Sequence, residues 1–204
     1  MLRTLTAGIA CAIASLSLAS AEDATNPWYV GYNAGLGIES RDYSGSETQN
    51  GMITPFGFTN DEPGLATSLY LGRRLTSALS AELETFALSN DFDSHRTLGF
   101  NLSAKADLGE RFYAYAAPGG ALLARDNVLG DDDVSLRPTV KAGLGVRTGA
   151  YGSLVLEARW ISLVSNAEDS FSYDVGGATP DPVVVQRTFD ASATSYTIGY
   201  RFNF

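Results

Sequence analysis

Ten ionisable residues sit in short stretches otherwise built of small and apolar residues, several of them two apart: Glu82 and Glu84, Lys105 and Asp107, Glu157 and Arg159, with Arg74, Lys141, Arg147 and Arg201. A spacing of two puts both side chains on one face of a strand. Carboxylates and cations gathered on one buried face can do two things. They can pair into a salt-bridge plug, or form a narrow ion path whose pairs rearrange. Unpaired, each would cost several kcal/mol. Three other features invite a chemical reading. Asp126 with Asp131-Asp132-Asp133 could ligate Ca²⁺ through oxygen, but the run lacks the glycine and closing Glu of an EF-hand and reads as a loop of solvated charge. The only histidine, His95, lies between Asp93-Ser94 and Arg96 and reads as a solvated loop residue. Ser165, in VSNAED, has Leu163 two residues before it, so no base stands beside it, and a serine without a base is a poor nucleophile.

The elements that must position these residues are strands. Strict alternation predicts eight of them: Trp28–Glu39, Leu65–Leu75, Leu79–Leu88, Thr97–Leu108, Phe112–Ala124, Arg137–Thr148, Ser153–Val164 and Ser192–Phe204. In the first, Trp28, Val30, Tyr32, Ala34, Leu36 and Ile38 oppose Gly31, Asn33, Gly35 and Gly37. In the last, Tyr196, Ile198, Tyr200, Phe202 and Phe204 oppose Thr197, Gly199, Arg201 and Asn203. Pro118-Gly119-Gly120 predicts a bulge or a weakened stretch in the fifth strand, because proline cannot donate to a ladder.

Connections alternate in length. Thr76 to Ala78, Gly109 to Arg111 and Gly149 to Gly152 are short; Ser40 to Gly64, Ser89 to Arg96, Arg125 to Leu136 and Ser165 to Ala191 are long. In an up-and-down meander all long loops then fall on one side, with the chain ends and short turns on the other. Sixteen acids, Glu39 among them, lie in or beside the long connections against four bases. At the N-terminus, Met1-Leu2-Arg3, the apolar run Leu5–Leu18 and the small-x-small site Ala19-Ser20-Ala21 predict a cleaved signal peptide over residues 1–21, leaving a barrel domain at 22–204. The apolar run is shorter than the ~20 residues of a spanning helix. Cys11, the only cysteine, lies inside that segment, which leaves the mature chain without thiol chemistry. Its net charge without Arg3, −10, argues against a nucleic-acid partner.

A soluble cup would bury the apolar face and display abundant Lys and Glu. Here the polar face is Gly, Ser, Asn and Ala with few charges, which suits a crowded interior, and the apolar face is broad and aromatic at its ends. Lipid is therefore expected outside, giving an all-β, eight-stranded antiparallel up-and-down transmembrane barrel. The signal segment, the WYVGYNAGLG opening, YLGRRL, IGYRFNF and the terminal Phe resemble the small Gram-negative outer-membrane barrels of the type formed by the transmembrane domain of OmpA. That resemblance implies an assembly signal, read by the barrel-assembly machinery, at Tyr196, Ile198, Tyr200, Phe202 and Phe204. It places the chain in the cell outer membrane beside lipid and lipopolysaccharide, with no cofactor. The chain ends at Phe204, and no periplasmic peptidoglycan-binding domain is expected. VSNAED is also similar to the Ser-Asn-Ala stretch of the outer-membrane lipid A deacylases, but the histidine of that motif is Leu163 here. The expected role is structural or interactive, through acidic external loops whose Tyr43, Phe56, Phe58, Phe171 and Tyr173 could touch a host or phage surface. The alternatives are a narrow channel and a lipid A-modifying enzyme.

Overall fold

The computed structural model describes residues 27–91, 94–124, 134–149, 151–173 and 182–204. Eight strands run β1 (Trp28–Gln49), β2 (Met52–Arg74), β3 (Leu79–Ser89), β4 (Ser94–Asp107), β5 (Phe112–Ala124), β6 (Val134–Arg147), β7 (Gly152–Tyr173) and β8 (Val183–Asn203). Each pairs antiparallel with the next, and β8 returns to β1, so over the length of the shorter strands β3 to β6 the sheet closes into a barrel. Closure satisfies every ladder internally, the condition for a strand structure to cross lipid.

Alternation decides which way each side chain points. Tyr32, Leu36, Leu69, Leu98, Phe100, Leu144, Leu156, Ile198 and Phe202 are large, apolar and exposed on the outer surface. Their partners in the alternation, such as Asn33, Ser68, Asn101 and Ser195, are buried inside. The inward glycines have a specific task. Tyr29 lies directly opposite Gly72, Tyr70 opposite Gly31, Tyr113 opposite Gly145 and Tyr115 opposite Gly143. In each pair the tyrosine ring lies where a Cβ on the glycine would be. Four rings thus fit into an interior only one side chain wide, because the residue across the ladder has no side chain of its own.

The structure departs from the sequence expectation in three places. First, the expected loops at 40–64 and 165–191 are largely strand: β1 and β2 continue in unbroken register to a two-residue turn at Asn50-Gly51, and β7 and β8 extend to Tyr173 and from Val183. Asn50 and Gly51 both have positive φ, 51° and 77°. Positive φ at both central residues is the type I′ geometry that suits a twisted hairpin, and Asn-Gly is its preferred pair. Second, the register shift lies in β7 and not in β5, where the weakened stretch expected around Pro118 is present without a bulge. Pro118 pairs in register with Val140, and only the ladder to β4 is interrupted, between Asn101–Gly119 and Ala104–Ala116. The irregularity lies in β7, where the register to β8 shifts between Ser162 and Ala167. Third, the interior is not polar throughout. Above the charged residues Phe86, Leu88, Leu123, Ile161 and Leu163 point inward and form an apolar layer with Ala66, Ala121, Ala191 and Ala193.

Gly145→Val should cost about 1–3 kcal/mol through overpacking against the Tyr113 ring. Urea unfolding in lipid vesicles checks this. Part of the loss should return in Gly145→Val combined with Tyr113→Ala, since contacting residues are non-additive.

Candidate functional site

Parity and register bring six of the nine charged lumen residues expected from sequence into one buried cluster. β3 supplies Glu82 and Glu84, β6 Lys141, β7 Glu157 and Arg159, and β8 Arg201. Lys141 Nζ lies 2.7 Å from Glu82, 2.9 Å from Glu84 and 3.6 Å from Glu157. Arg159 pairs with Glu84 and, at 2.9 Å, with Glu157. Arg201 reaches Glu82 at 3.5 Å. Three carboxylates therefore face three cations. Neutral donors complete the shell: Tyr29 donates to Glu82 at 2.6 Å, Tyr115 to Glu157 at 2.6 Å and Asn101 to Glu84 at 3.0 Å. The Arg201 guanidinium also lies over the rings of Tyr29 and Tyr115, at 4.5 and 5.3 Å. These tyrosines, absent from the sequence expectation, were signalled by their parity: they fall on the face shared by the glycines.

The other three, Arg74, Lys105 and Arg147, stand apart at the turn-side mouth. Arg147 pairs with Asp107, Lys105 lies 3.4 Å from Asp107, and Arg74 donates to Asn203 at 2.8 Å.

His95 corrects the expectation of a solvated loop residue. It lies on β4, is 3% exposed, and its Nε2 is 2.9 Å from the buried carboxylate of Glu39. Arg41 and Asn90 bind the same carboxylate, at 2.7 and 2.9 Å. Glu39, counted above with the loop acids, is thus an interior residue one position beyond Ile38, the last outward apolar residue of β1. Burial pushes its carboxyl up, but the hydrogen bonds and charges of His95 and Arg41 outweigh this and hold it at about 2. Leu163 is buried in the apolar layer, and the Ser165 hydroxyl lies 3.4 Å from that of Ser162.

Beyond the lipid-facing belt β2, β1, β8 and β7 continue as a four-stranded blade. The five aromatics that the sequence placed in separate loops share its inner face, the face continuous with the lumen. Phe58, Tyr43 and Phe189 are directly opposite one another on three strands, with Tyr43 stacked on Phe58 at 4.8 Å and on Phe189 at 5.6 Å. Phe56 stacks beside Phe58, and Phe171 beside Tyr173. Arg187 lies over the rings of Tyr43 and Phe171, held by Asp169 at 2.6 Å. Phe58, Phe171 and Tyr173 remain 54%, 44% and 44% exposed. The outer face of the blade carries hydroxyl–carboxylate pairs, Ser40 with Asp61 and Thr59 with Asp42, both at 2.6 Å.

Tyr196, Ile198 and Phe202 point outward and are exposed on β8, Phe204 just beyond its end is exposed too, and the Tyr200 ring is tilted against Phe202, with centroids 4.6 Å apart. Ala19 and Ala21, the aspartates at 126 and 131–133, and Asp93 lie outside the described residues.

No family model and no curated protein sequence matches the chain. Solved structures do. Neisserial surface protein A is similar over 84% of this chain and 99% of its own, at 13% identity and a TM-score of 0.51. OprG from Pseudomonas aeruginosa is similar over 88% of this chain and 98% of its own, at 10% identity and a TM-score of 0.50. The chain has the fold of the small outer-membrane β-barrels. At these identities the likeness carries the fold alone, and the function rests on the barrel's own residues.

Two outcomes test this geometry. Lys141→Met leaves three buried carboxylates facing two cations and should cost about 3–5 kcal/mol in urea unfolding, part of it recovered by adding Glu82→Gln. The depressed value of Glu39 means that its contribution is complete above its ordinary value of 4.5 and is lost as pH falls toward about 2. The unfolding midpoint should therefore drop across that window in the native barrel, and drop less in Glu39→Gln.

Proposed function

We propose that this barrel is a non-catalytic surface protein that recognises a partner through the aromatic face of its blade, with a lumen closed by charge pairs. The observation that carries the reading is the row Phe58–Tyr43–Phe189 with Arg187 and Phe171 beside it, beyond the membrane belt, with Phe58 and Phe171 exposed and Tyr43, Phe189 and Arg187 half-buried behind them. Large aromatic side chains and Arg supply most of the energy where one surface binds another, because they bury much area at small entropic cost. In the membrane belt aromatics are explained by lipid, but here that explanation does not apply.

Closure of the lumen is supported by the burial of Lys141, Glu82 and Glu84 and by the apolar layer beyond them. An ion entering would have to break several pairs at once in a medium of low dielectric. The non-catalytic reading is supported by the separate engagement of its two candidate groups, His95 with Glu39 and Ser165 with Ser162. With short turns and termini in the periplasm, the blade would be external, and the acids of its outer face, Asp42 and Asp61, would lie behind the aromatic face. In this reading Tyr196, Ile198, Tyr200, Phe202 and Phe204 are the signal for the assembly machinery, and lipopolysaccharide is the barrel's outer-leaflet neighbour.

Cells displaying the barrel should adhere to at least one member of a panel of immobilised glycans and matrix proteins. Phe58→Ser with Phe171→Ser should cut that adhesion by about tenfold or more, while the heat-modifiable gel shift of a folded barrel is kept. Equal adhesion by the folded variant would remove the aromatic face as the recognition site. Purified barrel in planar bilayers should give no reproducible conductance steps; selective steps would sink the closed lumen.

A further inference from the structure

The turn-side mouth of the barrel opens into a vestibule of about 970 Å³ whose charges do not balance. Arg74, Lys105, Arg147 and Arg201 line it, against Asp107 and Glu110. One carboxylate, Asp107, serves both Lys105 and Arg147, while Arg74 has only the neutral Asn203 amide and, among the described residues, no carboxylate. Arg201 forms the deep end, where its partner Glu82 already belongs to the buried cluster. The remaining lining is rich in hydroxyl groups.

A second observation points the same way. Tyr113 lies in the wall of this vestibule, 3% exposed, and its hydroxyl has no hydrogen-bond partner. Of the other inward tyrosines, Tyr29 and Tyr115 each donate to a glutamate, and the Tyr70 hydroxyl accepts from Arg201 at 3.4 Å. Lys105, Arg147 and Arg201 all stand over the Tyr113 ring, at 5.7, 5.6 and 5.9 Å. A buried donor without an acceptor is costly. Here it stands beside three cations, two of which, Lys105 and Arg147, share one counter-ion, Asp107, that is half exposed and so weakly held.

We infer that the vestibule is a binding site for a phosphate group. A phosphate seated between Lys105 and Arg147 competes with Asp107 for them, takes Arg74 as a third cation, and supplies the acceptor that the Tyr113 hydroxyl lacks. Four donors lining one vestibule from four strands, β2, β4, β5 and β6, suit a tetrahedral oxyanion better than a planar carboxylate with two oxygens. Arginine forks and a lysine are the side chains that phosphate recognition uses. The group could arrive free or on the head of a membrane phospholipid; the chemistry of the site is the same.

The test is titration of the full folded barrel, in a non-ionic maltoside at low salt, with inorganic phosphate and separately with a short-chain phosphatidylglycerol. Binding is read by calorimetry and by phosphorus NMR. The expected result is saturable one-to-one binding of at least one of the two, weakened about tenfold or more by Arg74→Gln and by Tyr113→Phe, and weakened by added salt. Tyr113→Phe keeps the ring and removes only the unpartnered hydroxyl, so it leaves a folded barrel to measure. Binding of inorganic phosphate identifies a free anion as sufficient; binding of the lipid alone, with the same loss in both variants, identifies the headgroup. The inference is overturned if neither ligand binds saturably to the folded wild type, or if both variants bind as tightly as it does.

Discussion

The buried ion cluster of Glu82, Glu84 and Glu157 with Lys141, Arg159 and Arg201 is the interaction on which the rest of the barrel depends. In lipid an apolar side chain gains little by turning inward, because the outside is already apolar. The interior must then be filled by groups that hold one another electrostatically, and each must be matched because the medium screens so little. This sets the register of β3, β6, β7 and β8, since Lys141 can touch three carboxylates only if those strands stand at one height. It also explains the tyrosines: their hydroxyls saturate the carboxylates and their rings face Arg201. The glycines follow in turn, because each of four rings needs an empty position across the ladder.

Where the strands leave lipid, the same alternation serves a different solvent. Along β1 the outward positions change from Tyr32, Leu36 and Ile38 to Ser40, Asp42 and Ser44, while the inward positions change from Gly31, Asn33 and Gly35 to Tyr43. The strand does not change face; the surroundings do. Apolar side chains move to the concave side because water now bathes both faces and only that side has neighbours to pack against, as Tyr43 does with Phe58 and Phe189. Between the two regimes lies the apolar layer of Phe86, Leu88, Leu123, Ile161 and Leu163, so the interior passes from charge to hydrocarbon to aromatic surface along its axis.

This gradient marks what was legible in the sequence. Within the membrane belt lipid compels one parity, and the eight strands, their faces and the inward charges could all be read from it. Above the belt nothing compels it, and the extensions of β1, β2, β7 and β8 passed for loops, although Asn50-Gly51 carried a hairpin signal. Phe86 and Leu88 were counted in a strand whose inside was taken as polar, because apolar residues on both faces leave no alternation to interpret. Pairing was illegible for another reason. Arg159 and Glu84 are 75 residues apart, and His95 and Glu39 are 56 apart. Parity says that such groups point inward, but only the closed barrel says which of them meet.

The irregularity in β7 shows how the interior and the blade can share strands without one dictating the other. Arg159, in the ion cluster, and Asp169, which holds Arg187 in the blade, are on the same strand on either side of it. The register to β8 slips once between Ser162 and Val164 and again between Val164 and Ala167. One extra residue would reverse the parity of everything after it and turn Phe171 and Tyr173 outward, away from Arg187. Two extra residues restore it. The consecutive burial of Ile161, Ser162, Leu163 and Val164 is the local result, since a strand that slips twice cannot keep alternating. The double slip therefore inserts length and bend while conserving face, and it does so at the apolar layer, where no ion pair has to be broken to accommodate it.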